Sequence, residues 1–159
     1  MKLILKNSVK KYFIDSPERS GNMSLETDFF MEPIKIAVID DNQGIRCIVK
    51  ELLNDEPDIL LCGEAEDLSQ ARVFIAAQTP DVILLDLSLD GTEGGLEFIK
   101  ELPSLSPSTK AIIFSAHDES TPAAKSLKAG AKGYLCKDKT FQCLTDAVRQ
   151  VHNGKSFVS

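Results

Sequence analysis

Four apolar runs of this 159-residue sequence end in a group that could do chemistry. Asp40 and Asp41 follow IKIAVI, Asp86 closes VILLD, Ser115 closes IIFS, and Lys137 follows GYLC. A further acid, Asp90, lies four residues beyond Asp86 in the stretch VILLDLSLDGT. A carboxylate beside an apolar run is costly unless something uses it. Each of these groups alone has an ordinary reading: an Asp pair before a helix is a cap, a Ser after a strand turns the chain, a Lys there is solvated. Together on one rim they would do more. Three carboxylates brought together repel one another, and a divalent, oxygen-preferring cation such as Mg2+ relieves that repulsion. A carboxylate in such a shell is also a nucleophile for phosphoryl transfer, giving an acyl phosphate. The three equatorial oxygens of the group in flight would find partners in Mg2+, a lysine ammonium and a serine hydroxyl.

Whether the groups share a rim depends on the elements that carry them. From Ile34 onward the sequence alternates in type. IKIAVID (Ile34–Asp40), ILLCGEA (Ile59–Ala65), VILLDL (Val82–Leu87), KAIIFSA (Lys110–Ala116) and GYLCK (Gly133–Lys137) read as strands. Between them, Ile45, Ile48, Val49, Leu52 and Leu53 fall on one helical face. A second helix begins near Ser69 as N-cap and carries Ala71, Phe74, Ile75 and Gln78. A third carries Leu96, Ile99 and Leu102 and is stopped by Pro103. A fourth runs from Ser120 to Ala129 and ends at Gly130. The last carries Phe141, Leu144, Val148 and Val151 and is closed by Asn153-Gly154. Five strand–helix repeats predict an α/β fold, a five-stranded doubly wound parallel sheet with helices on both faces. In such sheets ligands bind at the carboxyl ends of the strands, which is where the five groups stand.

Composition bounds the rest. The length allows one domain with a real core, and 43% apolar with 26% charged residues is ordinary for a globular protein. A net charge of −6 disfavours direct nucleic-acid binding by this chain. Cys47, Cys62, Cys136 and Cys143 have no spacing for a zinc site or a disulfide framework, and read as small core residues in a reducing compartment. The start, MKLILKNSVKK, has too short an apolar run for a signal peptide or a membrane span, so no membrane role and a cytoplasmic location are expected. Residues 1–32 sustain neither a strand nor a helix period and read as a flexible extension, with residues 33–159 as the folded domain.

The pieces VIDDN (38–42), ILLDLSL (83–89), IIFSA (112–116) and GYLCKD (133–138), in this order, resemble the receiver domain of two-component response regulators. The resemblance covers about residues 34–158, and the last segment, AVRQVHNGKSFVS, resembles the NarL/FixJ subgroup. It implies the CheY-like, flavodoxin-like (βα)5 fold with strand order 2-1-3-4-5. It implies that Asp86 accepts the phosphoryl group, that Asp40 and Asp41 hold Mg2+ with Asp86 and the Ser88 backbone carbonyl, and that Ser115 and Lys137 contact the phosphoryl oxygens. Tyr134 would be the aromatic that changes rotamer with Ser115. A sensor histidine kinase would be the partner. A homodimer could form through the first and last helices, or through the fourth helix and fifth strand. A helix-turn-helix output domain follows the receiver in that subgroup, and transcription would be its output. The chain would be a phosphoacceptor with autophosphatase-type activity only, not an enzyme proper. Ser88 and His117, two residues past Asp86 and Ser115, are placed to tune the lifetime of the acyl phosphate.

One departure bears on the site. Asp90 stands where the family usually has Pro, in a loop that reads one residue longer than usual. SLDGT also resembles the first motif of the haloacid-dehalogenase phosphatases, Asp-x-Asp-Gly-Thr. That motif would make Asp90 a general acid, but its nucleophile position holds Ser88, and two strand–helix units precede it here. Asp90-Gly91 is a good turn pair, so Asp86 is expected to do the chemistry and Asp90 to make the turn. A third reading is an interaction module of the same fold that works without phosphorylation.

Overall fold

The computed structural model describes residues 32–89, 94–116 and 120–159, all within the second of two units, Met1–Phe30 and Met31–Ser159. The extension expected before the domain, apart from Glu32, lies outside the described residues, as do Asp90 and His117. The strands are β1 (Ile34–Ile39), β2 (Ile59–Ala65), β3 (Val82–Asp86), β4 (Lys110–Ser115), β5 (Gly133–Cys136) and a short β6 (Phe157–Val158). The helices are α1 (Gln43–Asn54), α2 (Leu68–Gln78), α3 (Gly94–Leu105), α4 (Ser120–Ala129) and α5 (Thr140–His152). All strand pairs are parallel, in the order β2-β1-β3-β4-β5-β6. The expected order of five is found, with β6 added at the edge.

The period of 2 along each strand sorts the apolar side chains onto two faces. Ala37, Ile39, Ile83, Leu85, Ala111 and Ile113 pack with α2, α3 and α4 through residues such as Ile75, Phe98 and Ala123. Ile36, Val38, Val82, Leu84, Ile112 and Phe114 pack with α1 and α5 through Val49, Leu53, Leu144, Val148 and Val151. β3 is buried at every position because it has a strand on each side and helices over both faces. On α1 the apolar stripe is real, though Ile48 remains 38% exposed at its margin.

Two sequence expectations are corrected, and one strand is added to those expected. α2 is capped by Asp67, not Ser69. The Asp67 carboxylate accepts from the Gln70 amide at 2.8 Å, which starts the helix early enough to bury Leu68 inside it. Pro103 lies inside α3 rather than stopping it. It removes one bond near the end of the helix, and the Ser106 amide still reaches the Leu102 carbonyl at 2.9 Å, so the last turn closes behind it. Finally, α5 does end at Asn153-Gly154, with Gly154 at φ +81°, but the chain then turns back to the sheet. Phe157 and Ser159 donate to the carbonyls of Lys132 and Tyr134, both at 3.1 Å, and so build β6. A two-residue strand is too short for a period to show.

The β1–β2 register skips Cys62, so Ile36 pairs with Leu61 and Ala37 with Gly63. The Phe74 ring of α2 fills the space a Cβ on Gly63 would need, so a side chain here would have to push that ring aside. Among the described residues no helix is long and apolar enough to cross a membrane.

Candidate functional site

β1 ends at Ile39, so the next residue leaves the sheet at its carboxyl edge. The Asp40 amide still bonds to the Ala65 carbonyl at 3.1 Å, which holds Asp40 fully buried against β2. Its Oδ1 accepts from the Asn42 amide at 2.9 Å. Asn42 is the N-cap of α1, with its Oδ1 accepting from the amides of Gly44 and Ile45 at 2.9 and 3.4 Å. Strand end, acidic pair and helix start are thus one hydrogen-bonded unit. Asp41, in its middle, is exposed.

Asp86 ends β3 and is 5% exposed. Behind it, a Cβ on Gly95 would lie 3.0 to 3.2 Å from the Leu87 and Asp86 backbone, so glycine lets the start of α3 close on the turn after Asp86. Lys137 opens a 3₁₀ turn at the end of β5. Its ammonium stands 2.7 Å from Asp40 Oδ2 and 3.3 Å from Asp86 Oδ1, and 5.4 Å from the centre of the Phe114 ring. Ser115 ends β4, fully buried, in register with Cys136, the residue before Lys137. The four strand ends therefore do converge as the topology requires, and carboxylate oxygens of Asp40, Asp41 and Asp86 lie within 4.8 Å of one another.

Burial raises the Asp86 carboxyl above its ordinary range, and the neighbouring Asp40 charge adds to this. The Lys137 ammonium and the Ser88 backbone amide oppose the shift. Lys137 balances only one of the three acids. The second oxygen of Asp40, Oδ2, is buried and accepts no well-directed hydrogen bond, although the ammonium is 2.7 Å away; that contact is a close ion pair of poor hydrogen-bond geometry. A buried carboxylate oxygen without a hydrogen bond, in a group of three aspartates whose carboxylates approach within 4.8 Å of one another, fits a small divalent cation with oxygen ligands.

Of the other expected residues, Ser88 is exposed in the turn after β3, and its amide bears on Asp86. Tyr134 is 2% exposed and packs in the same cluster as Ile113, Ala123 and Ala131. The place given to His117 lies outside the described residues. Sequence reasoning missed three contributors. Asn42 carries a readable signal, an Asn immediately before an apolar-periodic segment. Arg46, which donates from Nη1 to the Asp40 carbonyl at 2.7 Å and pairs with Glu64 at 3.6 Å, carries none, because the contact is made to a backbone atom across the strand end. Gly95 reads as a loop glycine until the backbone it packs against is known.

Comparison with known proteins agrees with this geometry. Residues 36–149 match the family described as the response regulator receiver domain. The nitrate/nitrite response regulator NarL of Escherichia coli K12 is 37% identical over 128 residues, which are 80% of this chain and 59% of that protein. The transcriptional regulatory protein DegU of Brevibacillus brevis is 34% identical over 125 residues, 79% of this chain and 52% of that protein. The chain thus spans little more than half the length of these relatives. Among solved structures, the signal receiver domain of NarL from Mycobacterium tuberculosis superimposes with a TM-score of 0.72 at 32% identity, covering 79% of this chain and all of that one. The matched span begins in β1, ends in α5 and contains every strand end described above, and on that ground the chain belongs to the response regulator receiver domain family.

Proposed function

We propose that Asp86 is the phosphoacceptor of a Mg2+-dependent receiver, and that residues 33–159 form that receiver. The observation that carries this reading is a buried carboxylate on the same rim as two further aspartates and a lysine ammonium 3.3 Å away. Asp40, Asp41, Asp86 and the Ser88 carbonyl would hold the cation, whose chemistry is to neutralise charge on the phosphoryl oxygens. An Asp86 carboxylate oxygen attacks phosphorus, and the bond to the donor breaks with its electron pair leaving on the donor. With a kinase the broken bond is the P–N bond of a phosphohistidine; with acetyl phosphate it is the P–O bond to acetate. Lys137 shifts from its ion pair toward the new phosphoryl oxygens, and the Ser115 hydroxyl donates to another of them. Water later attacks the acyl phosphate and restores Asp86, with Ser88 and His117, two residues past Asp86 and Ser115 in the sequence, tuning its lifetime. The chain is a signalling receiver that is reset by hydrolysis, not a classical enzyme.

The switch follows from the same contacts. Ser115 is drawn toward the phosphoryl group and Tyr134 fills the space behind it. The ring is buried in the unphosphorylated chain, so the switch is a change of rotamer within the core, biased by phosphate contacts made in one state only. A sensor histidine kinase is the donor, and a second copy, through α1 and α5 or through α4 and β5, is the partner of the switched face. In the longer relatives' pattern a DNA-binding domain would carry the output to transcription. The test combines acetyl phosphate with ring-proton spectra of Tyr134. Phosphorylation should require Mg2+ and be abolished by EDTA, and the Tyr134 resonances should move with it. Phosphorylation with unchanged Tyr134 resonances would refute the coupling, and no phosphorylation under any condition would favour the interaction module.

A further inference from the structure

The geometry points to Arg46 as a positioning residue for the metal site: its guanidinium orients the Asp40–Asp41 peptide so that both carboxylates can bind one cation. The inference rests on the reading that Asp40 and Asp41 hold that cation.

Three groups fix Asp40. Its amide is held by the Ala65 carbonyl at 3.1 Å, its Oδ1 by the Asn42 amide at 2.9 Å, and its carbonyl by Arg46 Nη1 at 2.7 Å. The last of these matters most for Asp41. The Asp40 carbonyl belongs to the peptide that joins the two acids, so its direction sets where the Asp41 side chain leaves the backbone. A guanidinium-to-carbonyl bond is charge-assisted and directional. The Arg46 side chain is only 13% exposed, and on its other edge Nε lies 3.6 Å from Glu64 Oε2. Glu64 stands on β2, one residue before the Ala65 that holds the Asp40 amide, so Arg46 straps α1, the end of β1 and β2 together at the point where the acids emerge.

A partly buried cation bonded to the backbone of one ligand has two opposite effects on a bound metal. Its charge competes with the metal, so removing it would tighten binding. Its hydrogen bond orders the ligands, so removing it would weaken binding. Glu64 offsets part of the charge, whereas nothing else in the described structure holds the Asp40 carbonyl. Orientation therefore outweighs repulsion, and the two possibilities differ in sign.

The test compares the whole chain with Arg46→Met and Arg46→Lys. Mg2+ affinity is read by calorimetry, stability by metal-free melting, and acetyl phosphate reactivity across Mg2+ concentrations. Arg46→Met should bind Mg2+ about tenfold more weakly, within the range for groups that support metal ligands. Its melting temperature without metal should be little changed, and saturating Mg2+ should restore its phosphorylation rate. Arg46→Lys, which keeps a donor but loses the planar fork, should fall between. Unchanged or tighter Mg2+ binding in Arg46→Met overturns the inference, as does a loss of affinity that only tracks a loss of fold. If Arg46→Met does not fold, wild-type affinity in Arg46→Lys overturns it. A wild-type chain that binds no Mg2+ overturns the metal-site reading itself, and this inference with it.

Discussion

At the scale of residues, the candidate site sets the burial of a charge against its ion pair. The Asp86 carboxyl sits above its ordinary range because burial, and the Asp40 charge, disfavour its ionised form more than Lys137 and the Ser88 amide support it. A carboxylate whose folded value is raised disfavours folding once the pH exceeds the unfolded value near 3.8, since the unfolded chain carries that charge in water. Asp86→Asn keeps the shape and removes the charge. It should therefore raise the metal-free melting temperature at neutral pH while removing the nucleophile. Parallel melting curves of the two proteins in EDTA check this, and a lower melting temperature for Asp86→Asn would show that the Lys137 pair outweighs the burial of the charge. The placement of the acids and the lysine on one rim is legible in the sequence because each closes an apolar run. Arg46 is not, because nothing in a sequence marks a side chain that bonds to a distant carbonyl.

At the scale of elements, the five strand–helix repeats were readable because helix and strand periods differ and both faces of the sheet are covered. What was misread lay at the ends. Asp67 displaces Ser69 as cap because Leu68 has to be buried, and Pro103 is tolerated where only one helical bond is lost. β6 escaped because two residues show no period. Long-range ties between elements were equally invisible. Arg149 of α5 binds Asp58 at 2.7 and 2.8 Å and also Glu56, fastening α5 to the α1–β2 connection across more than 90 residues of sequence. The Arg149 hydrogen bonds hold the Asp58 carboxyl below its ordinary 3.8. That contribution is complete above pH 3.8 and is lost as the pH falls through the lower folded value. Asp58 is half exposed, so solvent screens the pair. Arg149→Met should cost about 0.5–1 kcal/mol at pH 7 by urea denaturation, and the gap from wild type should narrow below about pH 4.

At the scale of the whole molecule, the fold delivers groups from four strands to one rim, and any ligand that binds only there must stabilise all of it. A cation held by Asp40, Asp41 and Asp86, as proposed, would bind the folded chain alone, because the unfolded chain separates the first two from Asp86 by more than 40 residues. Mg2+ at 100 times its dissociation constant should therefore add about 2.7 kcal/mol to stability. Thermal melting across a Mg2+ series should rise accordingly, return to baseline with EDTA, and stay flat in an Asp40→Asn, Asp41→Asn double variant. The chain's net charge of −6 is carried while the site itself concentrates acid, so part of this gain comes from relieving repulsion between the ligands, and moderate salt should not mimic it.

The assignment of the acceptor is tested most directly by intact mass after reaction with acetyl phosphate and Mg2+, for the wild type, Asp86→Ala and Asp90→Ala side by side. One phosphoryl group should appear on the wild type and on Asp90→Ala, and none on Asp86→Ala. A phosphoryl group that survives in Asp86→Ala and disappears in Asp90→Ala would contradict the account and move the chemistry to the second acid.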